Sequence, residues 1–236
     1  PLGQVATVSL SFDDAKIIRR DQLRTITISC DLIPGVTALE IVQLISPWIN
    51  NQQQQWPPSF KYAFGGEVES SQKANNSIKA ELPIAIFAII FILVLQFNSL
   101  RKTSIILITV PLALIGVVIG LIVAKSYFGF VTLLGIISLS GIVINDGIVL
   151  LECIENKKEQ NITGVQAIID SGKERLRPIL LTTITTTLGL VPLWIGGGEM
   201  WKPMAISIIF GLIFATVLTL IVVPVLYSIL FNHKHN

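Results

Sequence analysis

The stretch LLGIISLSGIVINDGIVLLECI (133–154) decides how this chain folds. Most of it lies in a run, 126–151, whose one charged residue is Asp146. A helix rises about 1.5 Å per residue, so about 20 apolar residues cross roughly 30 Å of hydrocarbon. Four neighbouring runs, 82–100, 103–124, 178–198 and 203–232, carry no charge at all. Helical hairpins buried in a soluble core are the alternative, and five such runs argue against it.

Composition agrees. Hydrophobic residues make up 52% of the 236 residues, charged residues 14%, and mean hydropathy is +0.72. Soluble domains carry about 25% charged residues, so an ordinary soluble enzyme is excluded, as is disorder. A net charge of +2 is too weak to point to nucleic acid. There is no P-loop, no His/Cys metal spacing and no Gly-x-Ser-x-Gly nucleophile elbow, so neither an enzyme nor a cofactor is expected. His233 and His235 sit at the tail and are weak as ligands.

The first 80 residues read differently. VATVSLS (5–11), RTITISC (24–30) and FKYAF (60–64) predict three strands. TALE (37–40) predicts a capping box opening a helix that Pro47 should end. Gly65-Gly66 turns the chain, and 68–80 predict a helix running into the membrane. So few elements close a poor core, so the segment is expected to complete a sheet whose other strands lie elsewhere. The chain opens PLGQVATV and reads as part of something longer.

Orientation follows from Lys and Arg in short loops. Arg101, Lys102, Lys157, Lys158, Lys173, Arg175, Arg177 and Lys234 flank alternate ends, against only Lys125 and Lys202 at the others. The first set is expected in the cytoplasm, with residues 1–80 outside, in the periplasm of a double-membrane bacterium. Cys30 and Cys153 then lie on opposite sides, and no disulfide is expected.

A charge at membrane depth costs about 2.5–3.5 kcal/mol even on insertion scales, so Asp146 marks a relay or pathway, or is a structural carboxylate that joins helices. Glu152 lies about 240° around the helix from it and reads as solvated or capped by a basic residue. LLTTITTT (180–187) puts Thr182, Thr185 and Thr186 on one face, where hydroxyls either meet a neighbouring carboxylate or bond back to their own helix. Gly116-x-x-x-Gly120 is a close-packing signal, with Gly135, Gly141 and Gly147 as further candidates. Residues 162–172 suggest a short amphipathic helix on the inner surface.

LVLQFNSLRKTSIILITVPLALIGVVIGL (93–121), the opening stretch, RLRPILLTTITTTLGLVPL (175–193) and FATVLTLIVVPVLY (214–227) together resemble the C-terminal portion of resistance–nodulation–division (RND) transporters, especially the hydrophobe/amphiphile efflux pumps. The resemblance implies a polytopic α-helical membrane protein with five transmembrane helices here, preceded by an N-terminal partial α+β periplasmic porter segment. It also implies a proton-driven multidrug antiporter of the inner membrane, a homotrimer with twelve spans per protomer. Its partners would be the missing N-terminal half of the protomer, a periplasmic adaptor, an outer-membrane channel and small amphiphilic substrates. In such pumps a fourth-span Asp pair meets a tenth-span Lys and an eleventh-span Arg and Thr. Arg175 and Thr182 match the last two. Asn145 stands at the Lys position, followed by Asp146 where many pumps have Asn. The relay candidates are therefore Asp146, Asn145, Thr182, Arg175 and Thr186. A lipid- or protein-export relative and a non-transporting assembly protein are the alternatives.

Overall fold

A computed structural model of the chain describes residues 16–33, 36–160, 162 and 164–232. The expected strand at 5–11 and the tail with Lys234, His233 and His235 lie outside the described residues. The chain divides into two units, 1–33 and 34–236.

In the first unit, β1 (Arg19–Arg20) pairs antiparallel with β2 (Leu23–Arg24), Arg19 opposite Arg24. Asp21 and Gln22 turn the chain with φ of 51° and 67°, the left-handed region that a two-residue hairpin needs. The ladder stops there. Residues 25–30, expected to be strand, are irregular, and Ile26 and Ile28 are almost fully exposed. A strand exists only with a partner for its backbone groups, and beyond Thr25, whose N donates to Ile18 O at 2.9 Å, no backbone partner is seen for this segment among the described residues.

The second unit opens with α1 (Ala38–Gln53). Its capping box is present: Glu40 N donates to Thr37 Oγ1 at 3.3 Å, and Thr37 N donates to Glu40 Oε2 at 3.2 Å. Pro47 does not end α1, contrary to expectation; the helix continues through it to Gln53. FKYAF (60–64) is irregular instead of a third strand. Tyr62 there bonds Asn50 Oδ1 and packs edge-on against Trp56 and Phe64, so side chains hold it without a ladder. The expected α+β segment thus reduces to one short hairpin and one helix among the described residues.

Five helices follow, each long and apolar enough to cross a membrane. They are α2 (Glu67–Phe97), α3 (Leu100–Val123), α4 (Phe130–Glu159), α5 (Val165–Gly196) and α6 (Gly198–Asn232). The linker helix at 68–80 and the first run are one unbroken helix, α2. Residues 165–172 are the opening turns of α5, which passes through Pro178, and no separate surface helix forms. Two residues separate α2 from α3: Asn98 in the left-handed region ends one, and Ser99 caps the next.

The helices alternate in direction, as the neighbours of their glycines show. Gly116 meets Phe214, and Gly120 meets Phe210, so α3 and α6 are antiparallel. Gly135 meets Met204 and Ser207, while Leu139 meets Gly211, so α4 and α6 are parallel. Gly147 touches Ile106 of α3, and Gly141 faces open space. The glycines at 116 and 120 have no room for a Cβ, because phenylalanines of α6 fill that space. Close approach here is the purpose of a small residue every fourth position. α6 lies at the centre, with 56% of its most apolar window buried, against 6% for α2 and 11% for α5.

Candidate functional site

Asp146 is buried, on the inward stripe of α4 that also carries Val143, Gly147 and Leu150. Among the described residues it makes no hydrogen bond and no ion pair.

Its neighbours can be counted from the register. Gly211, Leu139 and Val117 mark one level of the bundle. Seven residues on from Leu139 is Asp146; seven on from Gly211 falls between Thr216 and Thr219 of α6. Going back along antiparallel α3, the same rise of about 10 Å arrives near Thr109. Thr183 of α5 joins this layer, because its hydroxyl lies 2.7 Å from that of Thr216. Thr109, Thr183, Thr216 and Thr219 are all buried. Three of them also bond back to their own helix: Thr109 to Ile106 O at 2.6 Å, Thr183 to Ile179 O at 2.9 Å and Thr216 to Leu212 O at 2.8 Å. The carboxyl group of α4 therefore lies at the level of buried hydroxyls contributed by the three other helices.

The other sequence candidates are placed differently. Asn145 is exposed, pointing away from this layer. Thr182 is exposed and donates to Ile179 O at 2.8 Å; Thr185 is exposed too, and Thr186 is half-buried. The face of α5 that enters the bundle is that of Thr183, not the 182/185/186 face. Arg175 lies about 9 Å of helix rise from Asp146's level, on the side of the basic residues. Among the described residues its Nε is buried without a hydrogen-bond partner, as is Ser171 Oγ one turn earlier. Thus Thr183 is the member of the Thr run that enters the bundle at the level of Asp146, and Asn145, Thr182 and Arg175 are not brought to it by the described residues.

Thr109, Thr216 and Thr219 had no signal beyond being lone hydroxyls in apolar runs. A second cluster was missed altogether. At the basic end, Lys102 of α3 pairs with one carboxylate oxygen of Glu155, and the Tyr227 hydroxyl of α6 donates to the other. Lys158 lies over the Tyr227 ring, 4.6 Å from its centroid. Lys157 pairs with Glu174 of α5 at 2.8 Å. Glu152, the acid that the sequence singled out nearby, is exposed. Between the two clusters Ile105, Ile106, Leu150, Leu151, Ile154 and Val223 form a buried apolar plug. Among the described residues no three His, Cys, Asp or Glu side chains group into a metal site.

Residues 1–231 match the AcrB/AcrD/AcrF family. An uncharacterized transporter from Haemophilus influenzae is 30% identical over 247 residues, covering 97% of this chain and 23% of that protein. The cobalt-zinc-cadmium resistance protein CzcA of Cupriavidus metallidurans is 29% identical over 232 residues, covering 97% and 22%. The nickel and cobalt resistance protein CnrA of the same organism is 33% identical over 181 residues, covering 75% and 17%. Among solved structures, the crystal structure of a heavy metal efflux pump superposes with a TM-score of 0.64 at 27% identity, covering 84% of this chain and 20% of that one. The chain thus spans about a fifth of the length of the relatives it matches.

Proposed function

This chain belongs to the AcrB/AcrD/AcrF family of RND transporters, and from that premise we propose that it supplies the last five spans of a proton-coupled efflux pump of a bacterial inner membrane. The basic end faces the cytoplasm and residues 1–80 belong to the periplasmic side, as the Lys and Arg distribution supports. The rest of the protomer lies upstream, and the assembly is a trimer working with an adaptor and an outer-membrane channel.

Asp146 carries the reading. It is a buried carboxyl at membrane depth, with buried hydroxyls at its level and, among the described residues, no ion-pair partner. Such a group takes up and gives back a proton according to what approaches it. A membrane potential of 100 mV supplies about 2.3 kcal/mol per charge moved, enough to bias a two-state transporter. Asn145 offers no cation at the Lys position, so the coupling differs from the usual family pattern and Asp146 itself is the titrating member on these spans.

The cargo we propose is a divalent heavy-metal cation, supported by the names of CzcA, CnrA and the structural neighbour. The amphiphilic compounds suggested by the sequence motifs are the second reading. The test is the whole transporter in a pump-deficient host, wild type against Asp146→Asn. Raised tolerance to cobalt, zinc or nickel that Asp146→Asn abolishes supports cation export. Tolerance to detergents and dyes alone reassigns the cargo. Full export by Asp146→Asn removes the relay.

A further inference from the structure

Three helices, α3, α5 and α6, contribute hydroxyls at the level of Asp146, and α4 is fastened to each of them at its basic end. Glu155 holds α3 through Lys102 and α6 through Tyr227. Lys157, two residues on, holds α5 through Glu174 at 2.8 Å. Both Glu155 oxygens are used, one per partner. The side chains of Lys102 and Glu155 are 19% and 27% exposed, so the pair is shielded far more than an ordinary surface ion pair.

The fastening cannot be a proton exit from the layer. Glu155 is nine residues, about 14 Å of rise, from Asp146, and the plug between them leaves Ile105, Ile106, Leu150, Leu151 and Ile154 with no exposed surface. A close-packed interior of this kind transmits displacement instead of water. A slide or rotation of α4 that moved Asp146 within that layer would have to break the Lys102–Glu155–Tyr227 contacts. The charged and titratable groups facing Glu155 are Lys102 from α3, Tyr227 from α6 and Lys158 from α4 itself, the last lying over the Tyr227 ring.

We propose that Glu155 is a positioning residue, which sets the axial register of α4 and thereby the placement of Asp146 against Thr109, Thr183, Thr216 and Thr219. This rests on the proposed proton role of Asp146. Tyr227→Phe keeps the ring that stacks on Phe231 and under Lys158 and removes only the hydroxyl. Glu155→Lys opposes Lys102 and removes the acceptor.

The experiment is the pH profile of proton-coupled export in inner-membrane vesicles carrying the whole transporter, with its amount measured by immunoblot. Tyr227→Phe, present at wild-type amount, is expected to move the profile so that export at fixed pH changes about threefold, the size of coupling that residues acting through packed elements produce. Glu155→Lys and Lys102→Glu should each lose more, and the double exchange should recover the profile. A profile that stays at the wild-type position in Tyr227→Phe, with the double exchange restoring amount only, overturns the positioning role and leaves a purely structural ion pair. Asp146→Asn, run alongside, separates the two ideas. If Asp146→Asn is inactive and the profile does not move, only the positioning claim falls. If Asp146→Asn exports normally, the proposed function falls and takes the positioning role with it.

Discussion

The middle of the bundle and its basic end both remove polar groups from water, and they do so by opposite means. At the basic end the half-buried Glu155 is matched by Lys102 and Tyr227, and the more exposed Glu174 by Lys157. In the middle Asp146 has hydroxyls at its level but no cation and no donor bonded to it among the described residues. A matched cluster is at its electrostatic minimum and resists change. An unmatched carboxyl at membrane depth is expensive, and such groups persist where a proton, an ion or a partner chain comes to them. The contrast separates what fastens the bundle from what can respond.

Giving the middle what the basic end has is the most damaging intervention. Thr219→Lys places an ammonium at the level of Asp146, and the pair should lock. Proton-coupled export is expected to disappear while the protein remains in the membrane; Thr219→Met, of similar bulk without charge, should keep most of it. Export and membrane amount together decide it, and an active Thr219→Lys would show that Asp146 is not reached from α6.

Packing comes next. Gly116 has the Phe210 carbonyl oxygen 2.9 Å from where a Cβ would stand, with Phe214 closer still. Gly116→Leu should push α3 from α6, costing about 1–3 kcal/mol by overpacking and lowering the unfolding midpoint in detergent. Gly141, which faces open space, should accept alanine without a shift. The smallest effect belongs to the hydroxyl pair. Thr216→Val removes the 2.7 Å contact to Thr183 and should cost about 0.6 kcal/mol, typical of hydrogen bonds between membrane helices. A loss several times larger would mean that the hydroxyl layer is a working network.

Much of this was legible in the sequence. The five apolar runs are five helices, because a backbone in hydrocarbon has to satisfy its own hydrogen bonds and a helix does so locally. The capping box at Thr37 and Glu40 was legible for the same reason: it needs only residues three apart. The strands at 24–30 and 60–64 were not, since a strand depends on a partner that pattern alone does not provide. Pro47 was over-read as a boundary. One missing N–H did not outweigh the continuing helical turns on either side.

The site divides along the same line. Asp146 stood out by itself, since a charge in an apolar run is conspicuous in one dimension. Which threonines accompany it was decided by the crossing of α3, α5 and α6 with α4. Thr183 turned inward and Thr182 outward because one residue step rotates a helix by about 100°, and only the packing of α5 on α6 chose between them. Glu155 was hidden for the same reason: its neighbours Lys102 and Tyr227 are 53 and 72 residues away. The sequence by itself determined spans, caps and the lone carboxyl, all of them local or solvent-imposed. Tertiary structure alone decided pairing, register and which face of each helix is buried, since these depend on side chains distant in the chain meeting at one level.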